Sequence, residues 1–123
     1  MRATVFGEGR STVEVGASSE DRAVDHLVRR GLQIVERNYR CKVGELDIVA
    51  RDRGVLVFVE VRSRRNADHG SALDAVGWSK RRRVTRTAMH YLASRRPRFD
   101  EARFDVVAIT GAEIVHIRDA WRL

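Results

Sequence analysis

The sequence predicts an α/β fold, a mixed β-sheet flanked by helices in the order α-β-β-β-α-β-β, and three observations point to it. Two stretches, at 19–30 and 79–95, repeat apolar residues at helical spacing. Five shorter runs, at 33–40, 45–50, 55–62, 104–109 and 113–117, are alternating or β-branched and are bounded by turn residues. The chain has 123 residues, 43% of them apolar, enough for one domain with its own core.

Ser18 or Ser19 can cap the first helix, and Gly31 supplies its stop. Ala23, Val24, Leu27 and Val28 form its buried stripe, with Glu20 on or beside that face. Ile34 and Val35 mark the first strand, and Gly44 separates it from Glu45-Leu46-Asp47-Ile48-Val49-Ala50. Arg51-Asp52-Arg53-Gly54 reads as a turn, so the strand from Val55 to Arg62 closes a hairpin. Residues 63–77 read as a polar loop with a short helical turn at 72–76. Ser79 is placed as the cap of the long helix, whose stripe is Val84, Ala88, Tyr91 and Leu92 and whose end is Pro97. Phe104 to Ile109 and Glu113 to Ile117 make the last two strands, joined at Thr110-Gly111-Ala112. Residues 1–15 read as a flexible N-terminal arm and 16–123 as the single domain.

The formal charge is +7 and the pI about 10.9, in the range of nucleic-acid-binding domains. Lys80, Arg81, Arg82, Arg83 and Arg86 cluster within two helical turns, and Arg62, Arg64 and Arg65 follow the third strand. Lys42 and Lys80 are the only lysines among 24 basic residues, an arginine bias. One cysteine, Cys41, excludes an intrachain disulfide, and no apolar run reaches the length of a membrane span. A cytoplasmic protein without a signal peptide is expected. The four histidines show no metal-ligand spacing and read as surface or packing residues; Cys41 reads as inert.

The third strand, Val57-Phe58-Val59-Glu60-Val61-Arg62, carries the chemistry. Val55, Val57, Val59 and Val61 share one face, and Leu56, Phe58, Glu60 and Arg62 the other. An even hairpin loop keeps the valines with Leu46 and Ile48 and turns Glu45, Asp47, Glu60 and Arg62 the same way. Centred on Asp52 and Arg53, it sets Glu45 near Glu60 and Asp47 near Phe58. Carboxylates crowded on a half-buried face repel one another unless one takes a proton or a cation joins them. Mg²⁺, or Mn²⁺ in its place, needs one or two carboxylates and keeps positions for water and phosphate. Such an ion can polarise a phosphoryl oxygen and acidify a water. A cation about 6–7 Å further along the strand could stabilise developing charge, and the basic helix would hold flanking phosphates. Structural roles compete. Glu60 and Arg62 can serve as an edge-strand pair, Glu20 as a dipole-favoured first-turn acid, and the arginine helix as a solvated face.

Gly44-Glu45-Leu46-Asp47 followed by Val57-Phe58-Val59-Glu60-Val61-Arg62 resembles the YraN-like family of small bacterial proteins. Gly16, Glu20 and Ala23, Gly31, Asn38 and Arg40, Lys80-Arg81-Arg82 and Arg103-Phe104-Asp105-Val106-Val107 match in order and spacing, from about residue 16 to 121. That family looks like a member of the PD-(D/E)XK nuclease superfamily, close to archaeal Holliday-junction resolvases. The resemblance implies a restriction-endonuclease-like core. It implies Asp47 and Glu60 as metal ligands with the Val61 carbonyl, and Glu20 as an assisting acid on the first helix. It places Arg62 where the superfamily has its catalytic lysine, a departure that matters because arginine stays charged and planar. The function so implied is metal-dependent endonucleolytic cleavage of DNA, branched DNA included, by a two-fold dimer. The alternatives are a non-catalytic nucleic-acid-binding module of the same fold and a protein-binding assembly factor.

Overall fold

The computed structural model describes residues 2–5, 18–64 and 77–123. Eight elements follow in order: β1 (Arg2–Val5), α1 (Ser19–Arg29), β2 (Gln33–Arg40), β3 (Glu45–Asp52), β4 (Val55–Arg64), α2 (Trp78–Arg95), β5 (Glu101–Thr110) and β6 (Glu113–Trp121). The strands form one six-stranded sheet in the spatial order β1-β6-β5-β4-β3-β2. Every pairing is antiparallel except β4 with β5, which run parallel because α2 carries the chain across the sheet between them. The mixed sheet and the α-β-β-β-α-β-β order agree with the sequence reading, with one strand added at the start. Within the stretch read as an arm, Arg2–Val5 pair with β6 from Arg2 opposite His116 to Val5 opposite Glu113. The outer edge of β6 is therefore covered along residues 113–116.

The helices lie on opposite faces. Ala23 and Leu27 of α1 pack with Ile48, Ala50, Val57, Val59, Val107 and Ile109. Val84, Ala88 and Tyr91 of α2 pack with Val49, Leu56, Phe58 and Phe104. Strand alternation in β4 thus feeds two cores, its valines toward α1 and its larger side chains toward α2. Leu46 departs from the expected pattern. It joins the α2-side cluster with its cross-strand partner Tyr39 rather than following Ile48 and Ala50. The partner strand β2 is irregular, with a register shift between Ile34 and Glu36 and a φ of +56° at Asn38.

Ser18 caps α1 with a reciprocal box: its hydroxyl accepts from the Asp21 N–H at 3.0 Å, and Asp21 accepts from the Ser18 N–H at 3.4 Å. The cap of α2 is Gly77, which offers no side chain, and Ser79 lies inside the first turn. The helix starts earlier than predicted because Trp78 already has helical geometry. It ends at Arg96, whose φ of +49° breaks the ladder just before Pro97. The helical turn expected at 72–76, and Gly16 and Arg65, lie outside the described residues. Arg64 closes β4.

Candidate nuclease-like site at the β3–β4 hairpin

The hairpin turn is Arg53-Gly54, with Asp52 opposite Val55 and Ile48 opposite Val59. The loop is even, as the apolar pattern required, so Ile48 stays with the valines of β4 although Leu46 does not. Its centre lies one residue later than expected, because Arg53 accepts the left-handed conformation of the turn with a φ of +60°. The consequence is chemical. Asp47 does not stand by Phe58 but beside Glu60, close enough that each carboxyl group shifts the other. Asp47 Oδ2 also accepts the Val61 N–H at 2.8 Å, fixing the carboxylate across the end of the hairpin.

Glu60 is 4% exposed. Its burial and the neighbouring Asp47 charge push its carboxyl up to about 7, although Lys80 pulls the other way. Burial likewise raises Asp47, opposed by the Val61 N–H, while the Glu20 charge adds to the rise. Lys80 Nζ stands 3.2 Å from Glu60 Oε2. The side chain grouped by sequence with the phosphate-holding cations thus reaches the acidic pair itself. A lysine at the start of a helix gives no sequence signal that it will bend toward a strand on the next layer; only the crossover connection sets it there.

The remaining sequence candidates fall at graded distances from this pair. Glu20 is held by Arg37, through Nη2 at 2.8 Å and Nε at 3.1 Å, and by Asn38 Nδ2 at 3.0 Å. It contributes charge to Asp47 while being anchored to β2. Glu45 pairs with Arg40 at 3.2 Å. Arg62 is half-buried, two residues beyond Glu60, and makes no ion pair with Asp47 or Glu60 among the described residues. Asp47, Glu45, Arg40, Lys80 and Arg83 line an open cleft of about 440 Å³. Gly44 forms its floor, where α2 comes so close that an added Cβ would lie 2.9 Å from Thr87 Oγ1. Arg82, Arg83 and Arg86 border an adjoining hollow along the outer side of α2.

Among the described residues, no three His, Cys, Asp or Glu side chains are gathered closely enough to hold an ion by themselves. The donor set at Asp47, Glu60 and the Val61 carbonyl suits a hard divalent ion that keeps water in its other positions. Two neighbouring carboxyl groups, Glu60 buried and raised to about 7 and Asp47 half-buried, are the electrostatic condition such an ion relieves.

Sequence reasoning missed a second polar cluster, on the opposite face. Asp105, fully buried, accepts from Arg103 Nε at 3.0 Å, lies 2.8 Å from His116 Nε2 and accepts the Asp119 N–H at 2.9 Å. The His26 ring meets His116 edge-on at 5.9 Å. Burial alone would raise the Asp105 carboxyl, but His116, Arg103 and the Asp119 N–H outweigh it and hold it below the usual range. The signal in the sequence was the two-residue step from Arg103 to Asp105, which sets both on one strand face.

No helix among the described residues is long and apolar enough to cross a membrane. Residues 19–109 match the model of the family described as Uncharacterised protein family UPF0102. A UPF0102 protein of Methylibium petroleiphilum is 48% identical over 121 residues, covering 90% of this chain and 96% of the relative. One from Lachnoclostridium phytofermentans is 46% identical over 107 residues, covering 86% and 91%. A third, from Persephonella marina, is 39% identical over 108 residues, covering 88% and 93%. The matched span runs from the capped helix through both hairpin strands to the end of β5, and the chain belongs to the UPF0102 family.

Proposed function

We propose that the protein is a metal-dependent endonuclease acting on DNA. The observation that carries this reading is the meeting of Asp47 and Glu60 across neighbouring strands, with Lys80 3.2 Å from Glu60, beside a cleft edged by arginines. Mg²⁺ or Mn²⁺ would be held by Asp47, Glu60 and the Val61 carbonyl, and when bound supplies Lewis acidity and an acidified water for phosphodiester hydrolysis. The protein's own contribution is positional. The Val61 N–H fixes Asp47, and Glu60 is held between Asp47 and Lys80. Lys80 offers a compact ammonium at the place where negative charge develops on phosphate. Because lysine is present here, the arginine at position 62 need not carry the superfamily lysine's role; Arg62 serves the phosphate next along the strand. Arg82, Arg83 and Arg86 would hold the flanking backbone, with Arg81 beside them.

The test is incubation of the full chain with linear, flapped and four-way-junction DNA in Mg²⁺, Mn²⁺ or EDTA. Cleavage is expected in the two metals and not in EDTA. Asp47→Asn and Glu60→Gln should each lower the rate at least about a hundredfold, since both hold the ion, while binding measured in EDTA persists. One observation favours a second reading, a nucleic-acid-binding module without turnover: the Lys80 ammonium, 3.2 Å from Glu60 Oε2, stands where it competes with a metal ion for that carboxyl group. Binding of DNA without cutting in every metal would select that reading over ours.

A further inference from the structure

Around the helix from the acidic cleft lies a second hollow, of about 380 Å³, between the first turns of α2 and the end of β6. Its walls are two indole rings. Trp78 is 76% exposed, an unusual position for so large an apolar surface. Trp121 is fixed, stacked on Phe104 at 4.8 Å with its plane tilted by 6°, and its Nε1 donates to Thr85 Oγ1 at 2.9 Å. The Arg81 guanidinium lies 5.7 Å from both ring centroids. Arg82, Arg86 and Arg122 complete the rim, and among the described residues no carboxylate lines the hollow. Arg82 and Arg86 also border the neighbouring hollow shared with Arg83, and Arg83 borders the acidic cleft. A continuous cationic path therefore joins the exposed indole to Asp47.

We infer that this hollow is a stacking site for an unpaired nucleobase, so that the nucleic acid engaged by the protein carries a single-stranded or extruded nucleotide next to the segment lying over the acidic cleft. This rests on the nucleic-acid reading given above and narrows it. A planar apolar slot with a cationic rim fits a base and its phosphates together. Bases inside a duplex are stacked on one another and cannot present a face to Trp78, whereas an unpaired base can. An acidic peptide would satisfy the arginines but leave the exposed indole face in water.

The test is binding in EDTA of a fluorescein-labelled thymidine oligonucleotide and of a blunt duplex of equal length, by anisotropy. Trp78→Ala should weaken single-strand binding by about tenfold, the effect of losing one stacked base, and duplex binding by less than about twofold. Trp78→Phe should stay within about threefold of wild type because a stacking face remains. Oligonucleotide should quench tryptophan fluorescence in Trp121→Phe, which keeps Trp78, and quench it far less in Trp78→Phe. Equal losses on single strand and duplex, or no loss on either, would overturn the stacking site and leave the nucleic-acid reading intact. The same holds if Trp78→Ala spares DNA binding and abolishes self-association in sedimentation, which would make the patch a contact between protein copies. A wild-type protein that binds neither DNA would overturn both readings together.

Discussion

At the scale of single residues, the most demanding side chain is Asp105. It is wholly buried between Arg103 and His116, so its charge is compensated by partners and not by water. Arg103 is tied at the same time to Asp52, at 3.1 Å, which links β5 to the end of β3. Removing Asp105 leaves a buried guanidinium with a weakened set of acceptors and the His116 Nε2 without one. Asp105→Ala is therefore expected to cost roughly 3–5 kcal/mol, the range for breaking a buried pair from one side, read from urea unfolding at neutral pH. The pH dependence has a definite sign. The Asp105 carboxyl is held below the ordinary aspartate value of 3.8 in the folded protein. The folded state thus resists its protonation, and the stability it contributes is complete above about pH 4 and fades as the pH falls through the lower folded value. Wild type should lose stability along this acid limb, and Asp105→Asn, which cannot titrate, should show a shallower one. An acid limb of equal slope in both proteins would contradict the description of Asp105 as the ionised centre of the cluster.

At the scale of elements, the hairpin and α2 decide where the acidic pair sits. The valine face of β4 was legible because alternation on a strand has only two outcomes, and the wrong one exposes four valines. That is why Asp47 and Glu60 could be set on one face from sequence. The exact pairing was not legible, since a turn centred on Asp52-Arg53 and one centred on Arg53-Gly54 share the same parity and differ only in which residue takes a positive φ. The place of Lys80 was illegible for a different reason: it depends on how a helix lies across the sheet, which no local pattern encodes. Gly44 is the hinge of that placement. A Cβ there would meet Thr87 Oγ1 at 2.9 Å and Arg83 Cγ at 3.3 Å. Thr87 has little room to yield, being fully buried with its hydroxyl donating to the Arg83 carbonyl at 2.8 Å. Gly44→Ala should therefore destabilise by about 1–3 kcal/mol, as overpacking does. Adding Thr87→Ala, which removes the clashing oxygen, should recover part of the loss in a thermal melt. A Gly44→Ala protein as stable as wild type would mean that α2 does not rest on the β2–β3 turn.

At the scale of the whole molecule, charge is distributed by face. The carboxyl groups of Asp47 and Glu60 lie side by side with Lys80 against Glu60, while the arginines of α2 border the cleft and the hollows beside it. With a formal charge of +7, the protein attracts a polyanion from a distance, and the counterions released on contact make the affinity fall with salt. Two contributions can then be separated by experiment. Arg82, Arg83 and Arg86 are expected to act on phosphate, so each change to alanine should lower the slope of log affinity against log salt by about one unit or less on duplex DNA. Trp78 should act through stacking, leaving that slope unchanged while lowering the affinity for single strands at every salt concentration. Lys80 falls between these cases because its ammonium already faces Glu60. Lys80→Ala removes one cation from the path and also leaves the negative charge carried by the Asp47–Glu60 pair without its neighbouring ammonium. It should weaken DNA binding in EDTA by more than any single arginine change on α2, and added Mg²⁺ should restore part of the loss by taking over the compensation of Glu60. Filter binding across a salt series, with and without Mg²⁺, measures all five variants on one scale. A Lys80→Ala protein that behaves like the arginine variants and ignores Mg²⁺ would separate Lys80 from the acidic pair and leave it an ordinary phosphate contact.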